Sequence, residues 1–221
     1  MIAARRFLGK FRRGGAARGE PYPAWDFPAL EDKHLQGAKL FADRKDLIAS
    51  LALAPGGAIA EIGVARGDFS EFLLSELRPA RFIAFDIFTM HDVRSRRGRR
   101  EIGYNSDFYR GRFAARGDQV AIEVGPSHIN LARYPDQSFD LIYIDAGHDH
   151  ASVGRDAALG MQKVKSGGFL VFNDYIMFDH LIGVPYGIVP VVNDIVVREN
   201  LTVHGFSLER NMFCDIAFRR P

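Results

Sequence analysis

The sequence contains a single cysteine, Cys214, in 221 residues. A lone thiol closes no internal disulfide and builds no cysteine-ligated metal cluster, which makes the reducing cytoplasm the expected compartment. No apolar run reaches the roughly 18 residues that a membrane span requires, so no membrane partner is expected. Nor does an apolar stretch followed by a small-residue cleavage site open the chain, which argues against secretion. Excess charge is lacking too: 29 basic and 27 acidic side chains leave a formal +2, too little to demand an acidic polymer as partner. Internal repeats and low-complexity tracts are absent. What remains, 47% hydrophobic and 25% charged residues, is a composition that buries a full core, and the length suits one α/β domain.

The positive charge is spread unevenly. Arg5, Arg6, Lys10, Arg12, Arg13 and Arg18 crowd the first 19 residues with no acid among them, a pattern shared by flexible basic tails and some transit leaders. Pro21, Pro23 and Pro28 then interrupt any helix. A basic flexible tail over residues 1–25 and a folded domain over 26–221, beginning near Trp25, are expected. A second concentration, Arg94 to Arg100 within the long polar stretch from Thr89 to Asp118, reads as a solvated loop or a substrate-recognition lid.

From Leu35 onward helical and extended patterns alternate as in a βα series. Leu40, Phe41, Leu47, Ile48, Leu51 and Leu53 mark a helix that Pro55, Gly56 and Gly57 end. Short apolar runs follow at Ala58 to Ile62, Phe82 to Phe85, Val120 to Val124, Leu141 to Ile144 and Phe169 to Phe172. Each is nearly continuous and bounded by polar or turn residues, as strands buried on both faces should be. Helical segments such as Val153 to Val164 lie between them. Leu201 to Leu208 and Phe213 to Phe218 are joined without a helix, which suits an antiparallel hairpin at one edge of the sheet.

In an open α/β sheet, ligands bind beyond the carboxyl ends of the strands, and three strand ends here carry unusual residues. Glu61-Ile62-Gly63-Val64-Ala65-Arg66-Gly67-Asp68-Phe69-Ser70 passes from a strand through a small-residue turn into a helix. Gly63 and Gly67 permit backbone conformations and close approaches that side chains block, though a plain βα turn would also use them. The turn reads G-x-A-x-G, which disfavours a dinucleotide fingerprint. Asp86 ends the next strand about 20 residues on, where a carboxylate accepts hydrogen bonds from vicinal ribose hydroxyls or caps a helix. The pair proposes an adenosine-type ligand. The third end is formed by Asp145, Asn173 and Asp174, which close strands expected to be neighbours.

These residues resemble the class I methyltransferases that use S-adenosylmethionine (SAM), and within them the branch that includes macrocin-type O-methyltransferases. The glycine turn resembles the first motif of that branch. Ile144-Asp145-Ala146-Gly147-His148-Asp149-His150 is similar to its I-D-G-x-H-D-Y segment, and Gly167 to Tyr175 to its G-G-x-x-x-x-D-D-Y segment. Pro185 to Asp194 fits the helix that follows. The likeness covers roughly residues 35 to 220, and its force lies in several motifs falling in order. It implies a Rossmann-like, doubly wound, mostly parallel sheet of seven strands with an antiparallel edge strand. It also implies that SAM lies over Gly63, Ala65 and Gly67, within a motif that includes Glu61 and Ser70. Asp86 would hold the ribose, and Gly125, Pro126 and Ser127 would approach the adenine.

Methyl transfer to a hydroxyl needs the acceptor aligned and deprotonated. Asp145, Asn173 and Asp174 would bring three oxygen donors together, a set that hard cations such as Mg²⁺ favour. In the macrocin-type relatives the matching positions hold a divalent metal, and the residue matching His148 looks like the general base. Here Asn173 replaces the first member of the usual acidic pair and removes one negative charge. Asp145 has a second reading, as partner of the methionine amino group of SAM, and His148 a second one as a helix cap. His150 and His180 read as polar surface residues and Cys214 as a small core residue. The expected function is thus SAM-dependent methylation of a small-molecule or sugar-like hydroxyl. The alternatives are a SAM-binding or RNA-associated module without turnover and a nucleotide-dependent enzyme such as a dehydrogenase. A homo-oligomer is compatible with all of them.

Overall fold

The computed structural model describes residues 25–89 and 105–221. The basic run of residues 1–24 and the Arg94 to Arg100 cluster therefore lie outside the described residues. In chain order the elements begin with α1 (Asp32–Leu35), β1 (Lys39–Phe41), α2 (Arg44–Ala49), β2 (Ala58–Ile62), α3 (Asp68–Leu77) and β3 (Arg81–Asp86). Next come α4 (Ser106–Phe113), a 3₁₀ turn over Ala114–Gln119, β4 (Val120–Val124), α5 (Ser127–Leu131), β5 (Phe139–Ile144), α6 (His150–Lys163) and β6 (Val164–Phe172). A small hairpin of β7 (Phe178–Asp179) and β8 (Val184–Pro185) precedes α7 (Ile188–Arg198), β9 (Thr202–Leu208) and β10 (Cys214–Arg219).

The strands form an eight-stranded sheet in the order β1-β9-β10-β6-β5-β2-β3-β4, with β7 and β8 paired separately. Only β10 runs against its neighbours, pairing antiparallel with both β6 and β9. This corrects two expectations. The sheet has eight strands rather than seven, and the antiparallel strand lies inside it rather than at its edge. The antiparallel strand is covered by β9, its partner in the hairpin, and the eighth strand comes from the start of the domain. Lys39–Phe41 extends the edge of β9 in parallel register, although Leu40 and Phe41 read as helical. The Asp43 carboxylate accepts from the amides of Lys45 and Asp46, so the helix starts only after that cap, and the residues before it are left free to pair.

Both faces of the sheet are covered, and alternate residues of each strand go to opposite sides. Ile83 and Phe85, Ile142 and Ile144, and Leu170 and Phe172 pack with α5, α6 and α7. Phe82 and Ala84, Leu141 and Tyr143, and Phe169 and Val171 pack with α2, α3 and α4. The stripe Ile188, Val191, Val192 and Ile195 holds α7 on the sheet, spaced as one helical face requires. Each such aliphatic side chain, fully buried, contributes about 1.5–3 kcal/mol. Among the described residues no helix is long and apolar enough to cross a membrane.

Candidate functional site

The sheet ladder runs one residue past the strand ends and holds the turn residues in a row. Gly63 N donates to Phe85 O, Gly125 N to Asp86 O, Asp145 N to Ile62 O and Asn173 N to Ile144 O, all between 2.7 and 3.0 Å. Beyond this row opens a cavity of about 720 Å³, whose lining includes Glu61, Gly63, Ala65, Asp86, Ser127, Asp145 and His148. Seven of the residues singled out in the sequence thus face one space.

At one end of the cavity stands the glycine turn. Gly63 has φ +87°, and a Cβ there would overlap the Asp145 carbonyl oxygen, so only glycine lets the β5 loop cross so near. Asp86 reaches back across the strands: Oδ2 accepts from Val64 N (2.8 Å) and Ala65 N (3.1 Å), and Oδ1 from Phe88 N (2.6 Å). The strand-ending carboxylate and the glycine turn are therefore one unit. Ser127 Oγ donates to Asp156 Oδ1 at 2.6 Å, and burial pushes the Asp156 carboxyl up despite that bond.

Two residues expected at the cofactor stand back from the cavity. Gly67 has φ +83°, and a Cβ there would strike the rings of Phe113 and Tyr109; its hydrogen makes room for α4. Ser70 is fully buried, donating to Glu61 Oε2 and accepting from Tyr109 OH at 2.8 Å. Glu61 is buried as well, and desolvation pushes its carboxyl up to about 8, against the opposing pulls of Ser70 and Arg44.

At the other end the structure brings Asp145, His148 and Asp174 together. His148 Nε2 lies 3.4 Å from Asp174 Oδ2 and 3.8 Å from Asp145 Oδ1, too far or too poorly aligned for a hydrogen bond to either. The imidazole stacks on Tyr186, with ring centroids 4.4 Å apart, and Tyr186 OH donates to Asp179 Oδ2. It caps no helix, because the Asp149 carboxylate does so for α6. Burial lowers the His148 imidazolium below its usual range. Asp145 keeps 29% of its side chain open to solvent, yet the crowding of protein atoms around it, and Asp174 after that, push its carboxyl well up, with Arg44 opposing. Asp174, in a left-handed backbone with φ 53°, is pushed up to about 7 by burial and then by Asp215.

Three participants were not singled out by the sequence. Arg44 opens α2, and its Nη1 donates to Tyr143 OH at 3.3 Å and sits 3.6 Å from Asp145 Oδ2. Tyr143 OH in turn donates to Asp215 Oδ2 at 2.7 Å, and Asn173 Nδ2 to Asp215 Oδ1 at 2.9 Å. Burial opposes the charge on Arg44, but Tyr143, Asp145 and Asp215 outweigh it and hold the guanidinium charged. Asp215 carried a legible signal, a carboxylate at an inward position of an apolar strand; Arg44 carried none.

A hard divalent ion needs several oxygen donors aimed at one point. Among the described residues no group of three or more His, Cys, Asp and Glu side chains is arranged to hold one. Asn173, expected as a ligand, brings no negative charge and is turned toward Asp215 by the bond its Nδ2 donates, and the guanidinium of Arg44 already faces Asp145. The expected set of Asp145, Asn173 and Asp174 does not fit a metal.

Residues 60–175, just over half the chain, match the methyltransferase domain family Methyltransf_24. No curated protein matches in sequence. The fold is similar to that of the O-methyltransferase NovP, at 17% identity and a TM-score of 0.59, covering 80% of this chain and 79% of that one. It is similar to the N-methyltransferase NodS from Bradyrhizobium japonicum WM9, solved with S-adenosylhomocysteine, at 18% identity and a TM-score of 0.55, covering 80% and 86%. A third likeness is to the pyocyanin biosynthetic protein PhzM, at 16% identity and a TM-score of 0.55, covering 80% of this chain. The chain spans only about half the length of PhzM (54%) and of YcgJ from Bacillus subtilis (51%).

Proposed function

This chain belongs to the methyltransferase domain family Methyltransf_24, and from that premise we propose that it moves the methyl group of SAM onto a hydroxyl of a small-molecule acceptor. One observation carries the reading. The glycine turn, the strand-ending Asp86, and the pair Asp145 and His148 all line one cavity, which supports reading one end as the seat of a nucleoside and the other as the place of acid–base chemistry. SAM supplies, when bound, an electrophilic methyl on a positively charged sulfur.

The chain's own residues supply the rest. The main chain at Gly63 and Ala65 offers a surface without side chains against which a nucleoside lies, and Asp86 offers carboxylate oxygens to its ribose. Ser127 and Asp156 stand on the wall where an adenine edge would point. Asp145 presents its carboxyl oxygens to the cationic end of the donor. His148, held flat by Tyr186 and kept neutral by burial, accepts the proton that an acceptor hydroxyl loses as its oxygen attacks the methyl carbon and the carbon–sulfur bond breaks. That need for a base favours oxygen over an amine as acceptor, since a neutral amine attacks without prior help.

Calorimetry with SAM and S-adenosylhomocysteine tests the cofactor half, and release of S-adenosylhomocysteine with a panel of hydroxylated and amine acceptors tests the rest. Binding of both nucleosides with turnover confined to hydroxyl acceptors is expected. Properly folded protein that gives no heat with either nucleoside overturns the reading.

A further inference from the structure

We propose that the guanidinium of Arg44 occupies the electrostatic place that a divalent ion would take beside Asp145, so that this crevice carries out methyl transfer without a metal. The inference rests on reading the crevice as the methyl-transfer site and goes beyond it, by assigning the cation.

Arg44 is fixed from several sides. Its backbone amide donates to Glu209 Oε1 at 2.8 Å, anchoring the start of α2 to the turn after β9. Its guanidinium carbon lies 4.2 Å from the centroid of the Phe69 ring, a cation–π contact. Nη1 donates to Tyr143 OH and faces Asp145 Oδ2 at 3.6 Å. A planar, permanently charged group so held behaves as a resident cation. A divalent ion bound to Asp145 would sit a few ångströms from that charge, where repulsion in a partly buried site outweighs what one more oxygen donor returns.

The other donors have been reassigned to match. Asn173 is neutral where a carboxylate would complete an ion's ligand set, and its amide nitrogen holds Asp215. Asp215, fully buried, is further held by Tyr143 OH, which also bonds Arg44. The carboxyl groups of Asp145 and Asp215 are thus met by one arginine, one tyrosine hydroxyl and one amide. Arg44 is a positioning residue in this account: it sets the charge and orientation of Asp145 at the cavity wall.

The test is Mn²⁺ binding followed by electron paramagnetic resonance on the full chain, with S-adenosylhomocysteine binding measured separately to report on the crevice itself. The wild type should show no saturable Mn²⁺ binding, and its turnover should survive exhaustive chelation. Arg44→Ala should bind one Mn²⁺ at least about tenfold more tightly than the wild type, as removal of a neighbouring unit charge implies, and Asp145→Asn added to it should release the ion. Mn²⁺ held by the wild type and released by Asp145→Asn overturns the proposal, as does a folded Arg44→Ala that gains no affinity. If Arg44→Ala does not fold, Arg44→Gln carries the same comparison, and the wild-type titration stands alone. Failure of the wild type to bind S-adenosylhomocysteine would instead strike the crevice reading and leave the Mn²⁺ result to be judged by itself.

Discussion

Replacing Asp86 by alanine removes two things at once, and the structure says how to separate them. The carboxylate already accepts from three backbone amides, those of Val64, Ala65 and Phe88. A hydrogen bond to a charged group contributes about 1.5–3 kcal/mol, but solvent takes over part of that at a half-open site, so the loss of all three should cost about 2–4 kcal/mol of stability. In a chain of this size that lowers Tm by roughly 5–15 °C. Loss of SAM binding in Asp86→Ala would therefore not by itself identify a ribose contact. A carboxylate offers about four acceptor positions, and with three taken only one is open to a ribose hydroxyl unless an amide lets go. Removing a single hydroxyl from S-adenosylhomocysteine should then weaken wild-type binding about 10- to 100-fold for one of the 2′-deoxy and 3′-deoxy analogues, with little effect for the other. In Asp86→Ala, folded by circular dichroism, both deoxy analogues should bind as weakly as the parent. Titration calorimetry with the three ligands on both proteins decides it. Discrimination between parent and deoxy analogues that persists undiminished in Asp86→Ala refutes the ribose assignment.

Gly63→Ala should destabilise the chain by more than about 3 kcal/mol, because it combines a left-handed backbone with overlap onto the Asp145 carbonyl; an unchanged thermal midpoint would contradict the packing. Glu61 keeps its proton up to about pH 8 in the folded state but loses it near the ordinary carboxylate value when unfolded. The folded form thus binds more protons through that window, and stability falls as pH rises from about 4.5 to about 8. Denaturant unfolding of Glu61→Gln should show a flatter pH dependence than the wild type. His148→Ala should lower kcat by roughly 100-fold or more with cofactor affinity retained. Since burial lowers the imidazole, wild-type kcat/KM should rise with pH and level off below the usual histidine value of about 6.5; a midpoint well above that would argue against His148 as the base.

Much of this site was legible because its residues stand at strand ends, where short apolar runs stop. The ends of β2 and β4 fall where the apolar pattern breaks, and Gly63, Asp86, Asp145, His148 and Asp174 sit just beyond such breaks. The harder parts depend on contacts distant in the chain. Arg44 meets Tyr143 across 99 positions and Tyr143 meets Asp215 across 72, and no local spacing announces either pairing. Gly67 looks like a cofactor glycine in the sequence, yet the rings it admits belong to α4, a helix within the stretch from Thr89 to Asp118 that reads as a loop. The hairpin of β9 and β10 was visible from its missing helix. Which member lies inward was not, since both strands alternate apolar residues and the covering edge, β1, reads as helix. Asn173 stands out in the sequence as an anomaly in an acidic pair; its donor bond to Asp215 supplies the physical reason.

The cavity's two ends are tied together over very different spans of chain. Val64 and Asp86, at the nucleoside end, are 22 positions apart, whereas Arg44 and Glu209, at the reactive end, are separated by 165. Closing the longer span costs more chain entropy. Synthesis delivers Glu209 and Asp215 last, after Phe69, Tyr143 and Asp145, the other groups that hold the guanidinium of Arg44, have been made. The last two strands thus complete the seat of that guanidinium.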